Sequence, residues 1–464
     1  MRDSFRRGKE RRRSGLLLGA IAFLLLSASA IPGVCAQAPG GVAGQAASPS
    51  GQPVAITLDE AIHRAEANEP AYAASLAESR ASVLDRSIAR GGMLPSVMYH
   101  NQALYTQPSA PASRSSQGVT QRFIANNAVR EYASQASINE TLGLGQVAGV
   151  RRADAAAAFA AAELEVSRRG LVAAVTGMFY GSLAADHKLA VAQRARQEAD
   201  DFAGLTGKRE QAREAAHADV VKAQLVAQQR QRDLEDAKVA AEKARLELGV
   251  LLFADPRTPY ELKAADGAPT LASRADVEQA AAKNNPELKS ALAALSVSNA
   301  DVLAARAAYL PDLGMNVTYG IDATQFAING PDKTRNLGYS ASVTLDIPVW
   351  DWLSTQHKLK QSEIRRDAVQ VALTATQRRL IARLDEAYSE AEAARDQLAS
   401  LDASVATAAE SLHLTRIRYT GGEATVLEVV DAQNAYVSAE NAREDGRVRY
   451  EAARADLETL TGTM

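Results

Sequence analysis

The stretch 353–419 is 67 residues long (419 − 353 + 1) and contains neither proline nor glycine. These two residues disrupt helices most strongly, so their absence over this length predicts one uninterrupted helix. At 1.5 Å per residue, such a helix would be on the order of 100 Å long. Aromatic residues make up only 5% of the chain, while Ala, Glu, Arg, Leu and Gln dominate the long glycine-free stretches. This composition is typical of long helices packed as coiled coils and not of an ordinary enzyme.

A pair of glycines, Gly421-Gly422, follows this stretch. Glycine takes the left-handed conformation that closes helices without strain, so the pair predicts a helix end and a tight turn. Apolar residues at mixed spacings of three and four resume from Glu423 to Leu460, which predicts a returning helix. The two segments therefore form a long antiparallel helical hairpin with its tip near 419–428.

A related turn lies earlier in the chain. Residues 213–224, REAAHADVVKAQ, match residues 422–433, GEATVLEVVDAQ. The match predicts a second hairpin tip near 208–219, preceded by a long helix from about Val147 to Ala212 and followed by a returning helix.

Paired prolines repeat as well. Pro70 and Pro95 are 25 residues apart (95 − 70), and so are Pro286 and Pro311 (311 − 286). Together with the two related turns, this spacing indicates an internal duplication of roughly two hundred residues per copy. The predicted structural repeats are residues 55–267 and 268–464.

After the second proline of each pair, the hydrophobic period changes from helical to two, which predicts β-hairpins at about 95–142 and 311–348. Apolar residues alternate with polar ones most clearly in the second hairpin, at Leu313, Met315, Val317, Tyr319 and Ile321 and again at Tyr339, Ala341, Val343, Leu345 and Ile347. Strands of about ten residues can cross a bilayer when tilted, and the alternation fits a membrane barrel. A pair of soluble surface hairpins would show the same alternation. Trp350 and Trp352 follow the second hairpin, where an interfacial aromatic belt would lie.

The N-terminus has the features of an export signal. Basic residues precede an apolar run, Leu16–Ala30, and small residues follow it, which predicts a signal peptide at 1–36. Residues 37–54, rich in Ala, Gly, Ser and Pro, are predicted to be a flexible linker. Cys35 is the only cysteine, so it is either removed with the signal or lipidated. No later apolar run is long enough to span a membrane as a helix, which leaves a soluble periplasmic protein, a secreted protein or a β-barrel.

Nothing in the sequence indicates catalysis. The net charge of −3 does not suggest nucleic-acid binding. No nucleophile elbow, phosphate loop or metal-ligand spacing is present, so neither a cofactor nor a metal is expected. The histidines are scattered along the chain, at His63, His100, His187, His217, His357 and His413.

The order of these features resembles the TolC-like outer-membrane efflux proteins, over a region from about Ile56 to Gly462. The resemblance is carried by NNP at 284–286, YLP at 309–311, DIPVWDW at 346–352 and RYTGGEATVLEVVDAQ at 418–433. It implies a mainly α chain with a small β part: long antiparallel helical hairpins forming an α-barrel, plus four transmembrane β-strands per protomer. Four strands do not close a barrel, because the smallest membrane barrels have eight, and open edges are not tolerated in lipid. The resemblance implies a homotrimer that shares a 12-stranded barrel.

The resemblance also implies a function. Such a trimer would sit in outer-membrane lipid with a long periplasmic extension and serve as a passive exit duct in tripartite efflux or type I secretion. Its partners would be a periplasmic adaptor protein and an inner-membrane pump, and the substrate and pump family stay open. Two other classes remain: a periplasmic adaptor, which would have one hairpin and β-rich halves, and a structural periplasmic coiled coil, which would not need the alternating strands.

Two groups of site residues follow from the resemblance. Glu428 and Asp431 match the acidic pair that lines the narrow periplasmic entrance, and Asp219 is the first-repeat counterpart of Glu428. Ala424 replaces an arginine that often tethers the closed entrance, so Tyr419 is expected to contribute by bonding to Asp219. The hairpin tips are expected to dock the adaptor, through Arg213, Glu214, Ala215, Gly421, Gly422, Glu423 and Ala424.

Overall fold

The computed structural model of the protein describes residues 54–105, 130–263, 271–330 and 334–462. The predicted signal peptide, Cys35 and all of the predicted linker except Val54 lie outside these residues. Val54 itself belongs to a short strand. The described elements, in chain order, are β1 (Val54–Ile56), α1 (Leu58–Asn68), α2 (Pro70–Gly91), β2 (Ser96–Tyr105), β3 (Arg130–Leu142), α3 (Leu144–Gln211), α4 (His217–Leu252), β4 (Tyr260–Leu262), α5 (Arg274–Asn284), α6 (Pro286–Ala307), β5 (Asp312–Ala323), β6 (Leu337–Asp346), α7 (Ser354–Thr420) and α8 (Val426–Thr461).

The helices of the two halves correspond closely in length. α1 and α5 have 11 residues each, α2 and α6 have 22, and α4 and α8 have 36. The longest helices, α3 and α7, have 68 and 67 residues. Pro70 and Pro286 each occupy the first position of a helix, where a missing N–H costs nothing. The prediction of a mainly α chain with a small β part is confirmed.

A four-stranded antiparallel sheet connects the helical parts in the order β2-β3-β5-β6. Its register places Val97, Ile138, Val317 and Ala341 in one row across the sheet. The next row on the same face contains Tyr99, Ala136, Tyr319 and Tyr339, whereas Ser137, Thr318 and Ser340 lie on the opposite face. One face is therefore mostly apolar and the other mostly polar. Within the described chain, the outer edges of β2 and β6 pair with no other strand.

A second, two-stranded sheet was not predicted from the sequence. β1 pairs in parallel with β4, with Val54 opposite Tyr260 and Ile56 opposite Leu262. Three residues are too few to show a hydrophobic period, so this pairing depends on tertiary contacts. Ile56 and Tyr260 are buried in a core formed with α1, α3 and α4, in which Phe179 and Leu248 are fully buried.

Helix α3 links the two repeats, because it packs against α2 and α4 of its own repeat and against α6 and α8 of the other. Its interior-facing positions are dominated by alanine, valine and other small side chains, which allow several helices to approach it. No helix among the described residues is long and apolar enough to cross a bilayer.

Candidate gate at the paired helical tips

The two hairpin tips share one backbone conformation. Glu214 N donates to Arg209 O at 2.8 Å, and the equivalent Glu423 N donates to Arg418 O at 2.8 Å. Both pairs are offset by 209 residues (423 − 214 and 418 − 209). This bond across the end of a helix satisfies a carbonyl that has no partner inside the helix. The structure therefore repeats the same turn at the ends of α3 and α7.

The residue in the left-handed conformation differs between the tips. In the second tip it is Gly422, with φ of 81°, and in the first it is Arg213, with φ of 63°. A residue with a Cβ pays roughly 1–2 kcal/mol for this conformation, whereas glycine does not. The first tip is therefore the more strained of the two.

Glu428 shapes the start of α8. Thr425 Oγ1 accepts a hydrogen bond from Glu428 N at 3.3 Å, and Glu428 Oε1 accepts one from Thr425 N at 3.1 Å. This is a complete capping box, and the Thr-x-x-Glu pattern is the signal that indicates it in the sequence. These bonds from Thr425 lower the pKa of the Glu428 carboxyl, and Arg418, 3.5 Å away, adds to the effect. Glu428 is thus ionised and held in place while remaining exposed.

The other acidic candidates lie nearby in the sequence but in different surroundings. Asp431 is exposed on α8, three residues after Glu428 and on the same side of the helix. Asp219 lies in the first turn of α4 and is half-buried. Lys222, which stands at the position equivalent to Asp431, is exposed. The acidic pair is therefore a feature of the second tip alone.

Tyr419 points into the contact between α3 and α7. It is buried, its ring lies 5.1 Å from the ring of Phe202, and its hydroxyl is 3.3 Å from Thr206 Oγ1. Its hydroxyl partner is thus Thr206 and not Asp219, because the last turn of α7 faces α3 and not the start of α4.

Arg209 joins the two tips, a role that sequence reasoning missed. It donates hydrogen bonds to the carbonyl oxygens of Tyr419 at 2.6 Å and Thr420 at 2.9 Å, and its guanidinium lies 4.8 Å from the centre of the Tyr419 ring. Glu214, 3.6 Å away, partly balances its charge. The guanidinium thereby bonds to two carbonyls at the end of α7 that have no partner inside the helix. A basic residue in the last turn of α3 was the available signal, but it does not reveal a contact 210 residues away.

The residues predicted to dock a partner are mostly accessible. Ala215 and Ala424 are partly buried, and Ala424 packs on the cluster of buried residues around Tyr419. The remaining five are exposed: Arg213, Glu214, Gly421, Gly422 and Glu423.

Trp350 and Trp352 lie between β6 and α7, at the other end of the long helix. Their ring centres are 5.9 Å apart and both side chains are exposed. The chain turns sharply here, since Trp352 and Leu353 both have positive φ, and the Asp351 carboxylate accepts a 2.7 Å bond from Thr355 N at the start of α7. In the part of the chain that the structure describes, no cluster of His, Cys, Asp and Glu could hold a metal ion.

The chain is similar in sequence and in structure to known outer-membrane proteins. Residues 277–463 match the family model "Outer membrane efflux protein". Protein CyaE of Bordetella pertussis is 26% identical over 390 residues, covering 83% of this chain and 79% of that protein. Alkaline protease secretion protein AprF of Pseudomonas aeruginosa is 23% identical over 429 residues, covering 88% of this chain and 85% of that protein. The crystal structure of the outer membrane protein VceC of Vibrio cholerae superposes with a TM-score of 0.73 at 16% identity, over 87% of this chain and 96% of that one. The matching family and structures are described as outer-membrane proteins and channels and not as enzymes.

Proposed function

Because this chain belongs to the TolC-like family of outer-membrane efflux proteins, we propose that it is the outer-membrane channel of a tripartite efflux or type I secretion system. In this role it is a passive exit duct for solutes that an inner-membrane pump expels through a periplasmic adaptor. The secretion branch is supported by the similarity to AprF, whose name describes a protease secretion protein.

The sheet supports a position in the outer membrane. Its apolar rows suit contact with lipid, while its polar face suits a water-filled interior. The free edges of β2 and β6 carry backbone groups that lipid does not satisfy. Three copies would supply twelve strands (3 × 4) and pair each β2 with a neighbouring β6. Trp350 and Trp352 would lie at the periplasmic interface of this barrel.

The difference in burial between equivalent residues carries the assembly proposal. Val172 on α3 is 3% exposed, whereas its α7 equivalent, Ile381, is 64% exposed. Val430 on α8 is 6% exposed, whereas its α4 equivalent, Val221, is 51% exposed. Each pair is offset by 209 residues (381 − 172 and 430 − 221). Val172 and Val430 lie on the helices through which the repeats pack on each other, so a neighbouring protomer would cover Ile381 and Val221 in the same way.

Repetition of this contact from chain to chain is a head-to-tail interface, which forms a closed ring when the rotation closes. The ring would surround the axis with long helices and bring three copies of each tip together. Helices on the order of 100 Å long carry the tips far from the sheet, to the end that would face the adaptor. There, six carboxylates from Glu428 and Asp431 would line the entrance and favour cations.

Crosslinking in outer-membrane fractions tests the assembly. We expect a trimer from the wild type and from Ile381→Val, which keeps an apolar side chain. Ile381→Glu combined with Val221→Glu places charges in the proposed contact and should reduce the trimer strongly. A wild-type protein recovered only as a monomer, soluble without detergent, would contradict the proposal.

A further inference from the structure

The contact between α3 and α8 differs from an ordinary coiled-coil seam. Along α8, charged residues recur at alternating spacings of four and three, where coiled coils usually place apolar side chains. This charged seam consists of Glu440, Glu444, Arg447, Glu451, Arg454 and Glu458. Because α3 belongs to the first hairpin and α8 to the second, the seam lies between the two hairpins.

His187 of α3 meets this seam at its most buried carboxylate. Its Nδ1 lies 2.9 Å from Glu444 Oε2, and Glu444 is almost completely buried. The other oxygen of the same carboxylate, Glu444 Oε1, accepts a 2.8 Å hydrogen bond from Arg443 on α8. Burial raises the pKa of Glu444, but the bonds from His187 and Arg443 outweigh this and lower it overall. Glu444 therefore stays ionised at neutral and mildly acidic pH.

Most of the other charged groups around His187 are paired with each other. Lys188 on α3 bonds to Asp445 on α8, and Asp186 lies 3.5 Å from Arg245 of α4. Two turns after His187 on α3, Arg194 bonds to Glu440 of α8 at 3.0 Å. Arg447 is the charged residue that follows Glu444 in the seam.

Helix α7 contributes apolar side chains near His187. Its Leu398 and Leu401 lie against Gly446 of α8. An added proton on the imidazole would therefore be balanced chiefly by Glu444.

We propose that the charged seam is a proton-sensitive clamp, in which protonation of His187 tightens the hold of α8 on α3 as the surrounding pH falls. A histidine is the side chain whose charge normally changes between about pH 5 and 8. The neutral imidazole donates to the Glu444 carboxylate as a dipole, whereas the imidazolium adds the attraction between two opposite charges to the same hydrogen bond. The His187 side chain is 44% exposed, so water reaches the ring.

Two further acids of the seam act in the same direction. Burial raises the pKa values of Glu451 and Glu458. The attraction of Arg454 opposes this shift but is the smaller effect for both carboxyls. A carboxyl with a raised folded-state pKa favours the packed state below its ordinary pKa, and this contribution is lost as pH rises through the raised value. Acidification therefore strengthens the packing of α8 through Glu451 and Glu458 as well as through His187.

The clamp affects the channel through the tips. His187 lies 24 residues before the end of α3 (211 − 187), or about 36 Å along the helix. A tighter seam restrains the separation of α3 from the second hairpin and so favours the arrangement in which Arg209 holds the end of α7. This consequence rests on the proposed channel function, but the tightening of the seam does not.

Distance measurement between spin labels tests the seam without any transport. Labels at Gln193→Cys on α3 and Ser438→Cys on α8 report the gap, with Cys35, the only native cysteine, replaced by serine. On moving the full-length protein from pH 7.5 to 5.5, we expect the wild-type distance distribution to narrow. His187→Gln, which retains a donor but does not titrate, should lose most of that response. His413→Gln, a matched change at an exposed site on α7, should respond like the wild type. An unchanged wild-type distribution, or a full response in His187→Gln, would overturn the clamp.

Single-channel recording in lipid bilayers then tests separately whether the protein forms a channel and whether the clamp affects its opening. The open probability of the wild type should fall by about three- to tenfold between pH 7.5 and 5.5, as expected for one partly exposed charged hydrogen bond. A seam that tightens in a protein that forms no channel would refute the proposed function and leave the clamp intact. A working channel whose opening does not change with pH would refute the effect of the clamp on the tips.

Discussion

The guanidinium of Arg209 donates a 2.6 Å hydrogen bond to the carbonyl oxygen of Tyr419. This bond joins the last turn of α3 to the last turn of α7, so the two hairpins are linked at their tips. The resemblance to the efflux proteins predicts an arginine that tethers the closed entrance, at the position where this chain has Ala424. We infer that Arg209 performs the tethering from the opposite hairpin, by capping the end of α7 and covering the ring of Tyr419.

Replacement of Arg209 should release the second tip. Arg209→Gln removes the charge, the paired hydrogen bonds and the contact with the Tyr419 ring. A charged hydrogen bond of this kind contributes about 1.5–3 kcal/mol, so the open probability should rise roughly tenfold or more in single-channel recordings. Lys208→Gln removes a charge from the neighbouring exposed residue and should behave like the wild type. Equal opening of both variants would exclude Arg209 as the tether.

Glycine at position 213 should stabilise the strained turn of the first hairpin. Arg213→Gly relieves the left-handed conformation and should increase the free energy of unfolding by about 0.5–1 kcal/mol, because the relief exceeds the entropy cost of glycine. Ala212→Gly changes a residue with φ of −74°, where glycine relieves nothing, and should destabilise the tip by a similar amount. Hydrogen exchange of the amides in the turn would measure both effects. Faster exchange in Arg213→Gly would show that the arginine side chain stabilises the turn by other means.

The acidic pair should determine ion selectivity. Glu428→Gln combined with Asp431→Asn removes both charges, while a glutamine at this position can still complete the capping box with Thr425. We therefore expect α8 to start at the same residue and the preference for cations, together with block by multivalent cations from the periplasmic side, to be lost. Thr425→Ala is the complementary control: it should destabilise the start of α8 by about 1 kcal/mol and preserve the preference for cations. Unchanged selectivity in the double variant would leave Glu428 and Asp431 with a structural role only.

Exposed tip residues should make the contact with the adaptor. Glu423→Trp adds bulk at an exposed position without a positive φ, so it should abolish export while the trimer persists in the membrane. A bulky residue at Gly422 would be less informative, because its φ of 81° would strain the turn itself. Arg257→Trp, exposed beyond the other end of α4, should leave export unchanged. Normal export in the Glu423 variant would place the adaptor contact elsewhere.

Much of the secondary structure could be predicted because it depends on local chemistry. The stretch 353–419 differs from α7, Ser354–Thr420, by one residue at each end. The alternating residues between Leu313 and Ile321 lie within β5, Asp312–Ala323. Helix continuity depends on the absence of proline and glycine, and strand alternation on one apolar face, so both can be read from consecutive residues.

The candidate site was less predictable, because its contacts join distant parts of the chain. The acidic pair could be identified from neighbouring positions, and the capping box of Thr425 and Glu428 could have been. The partner of Tyr419 could not, since Thr206 lies 213 residues away and is reached only when α3 and α7 pack.

The sequence by itself determined the lengths of the hairpins, the position of their tips, the alternation of the strands and the duplication. Each of these follows from backbone preference and hydrophobic period within a few turns of chain. Tertiary structure alone decided the β1–β4 pairing, the capping of α7 by Arg209 and the placement of His187 beside Glu444. The β1–β4 pairing joins the two ends of the first repeat, whereas the other two contacts arise where helices from different repeats approach each other. In each case the residues that meet are distant in sequence, so their contact depends on how the elements pack and not on local preference.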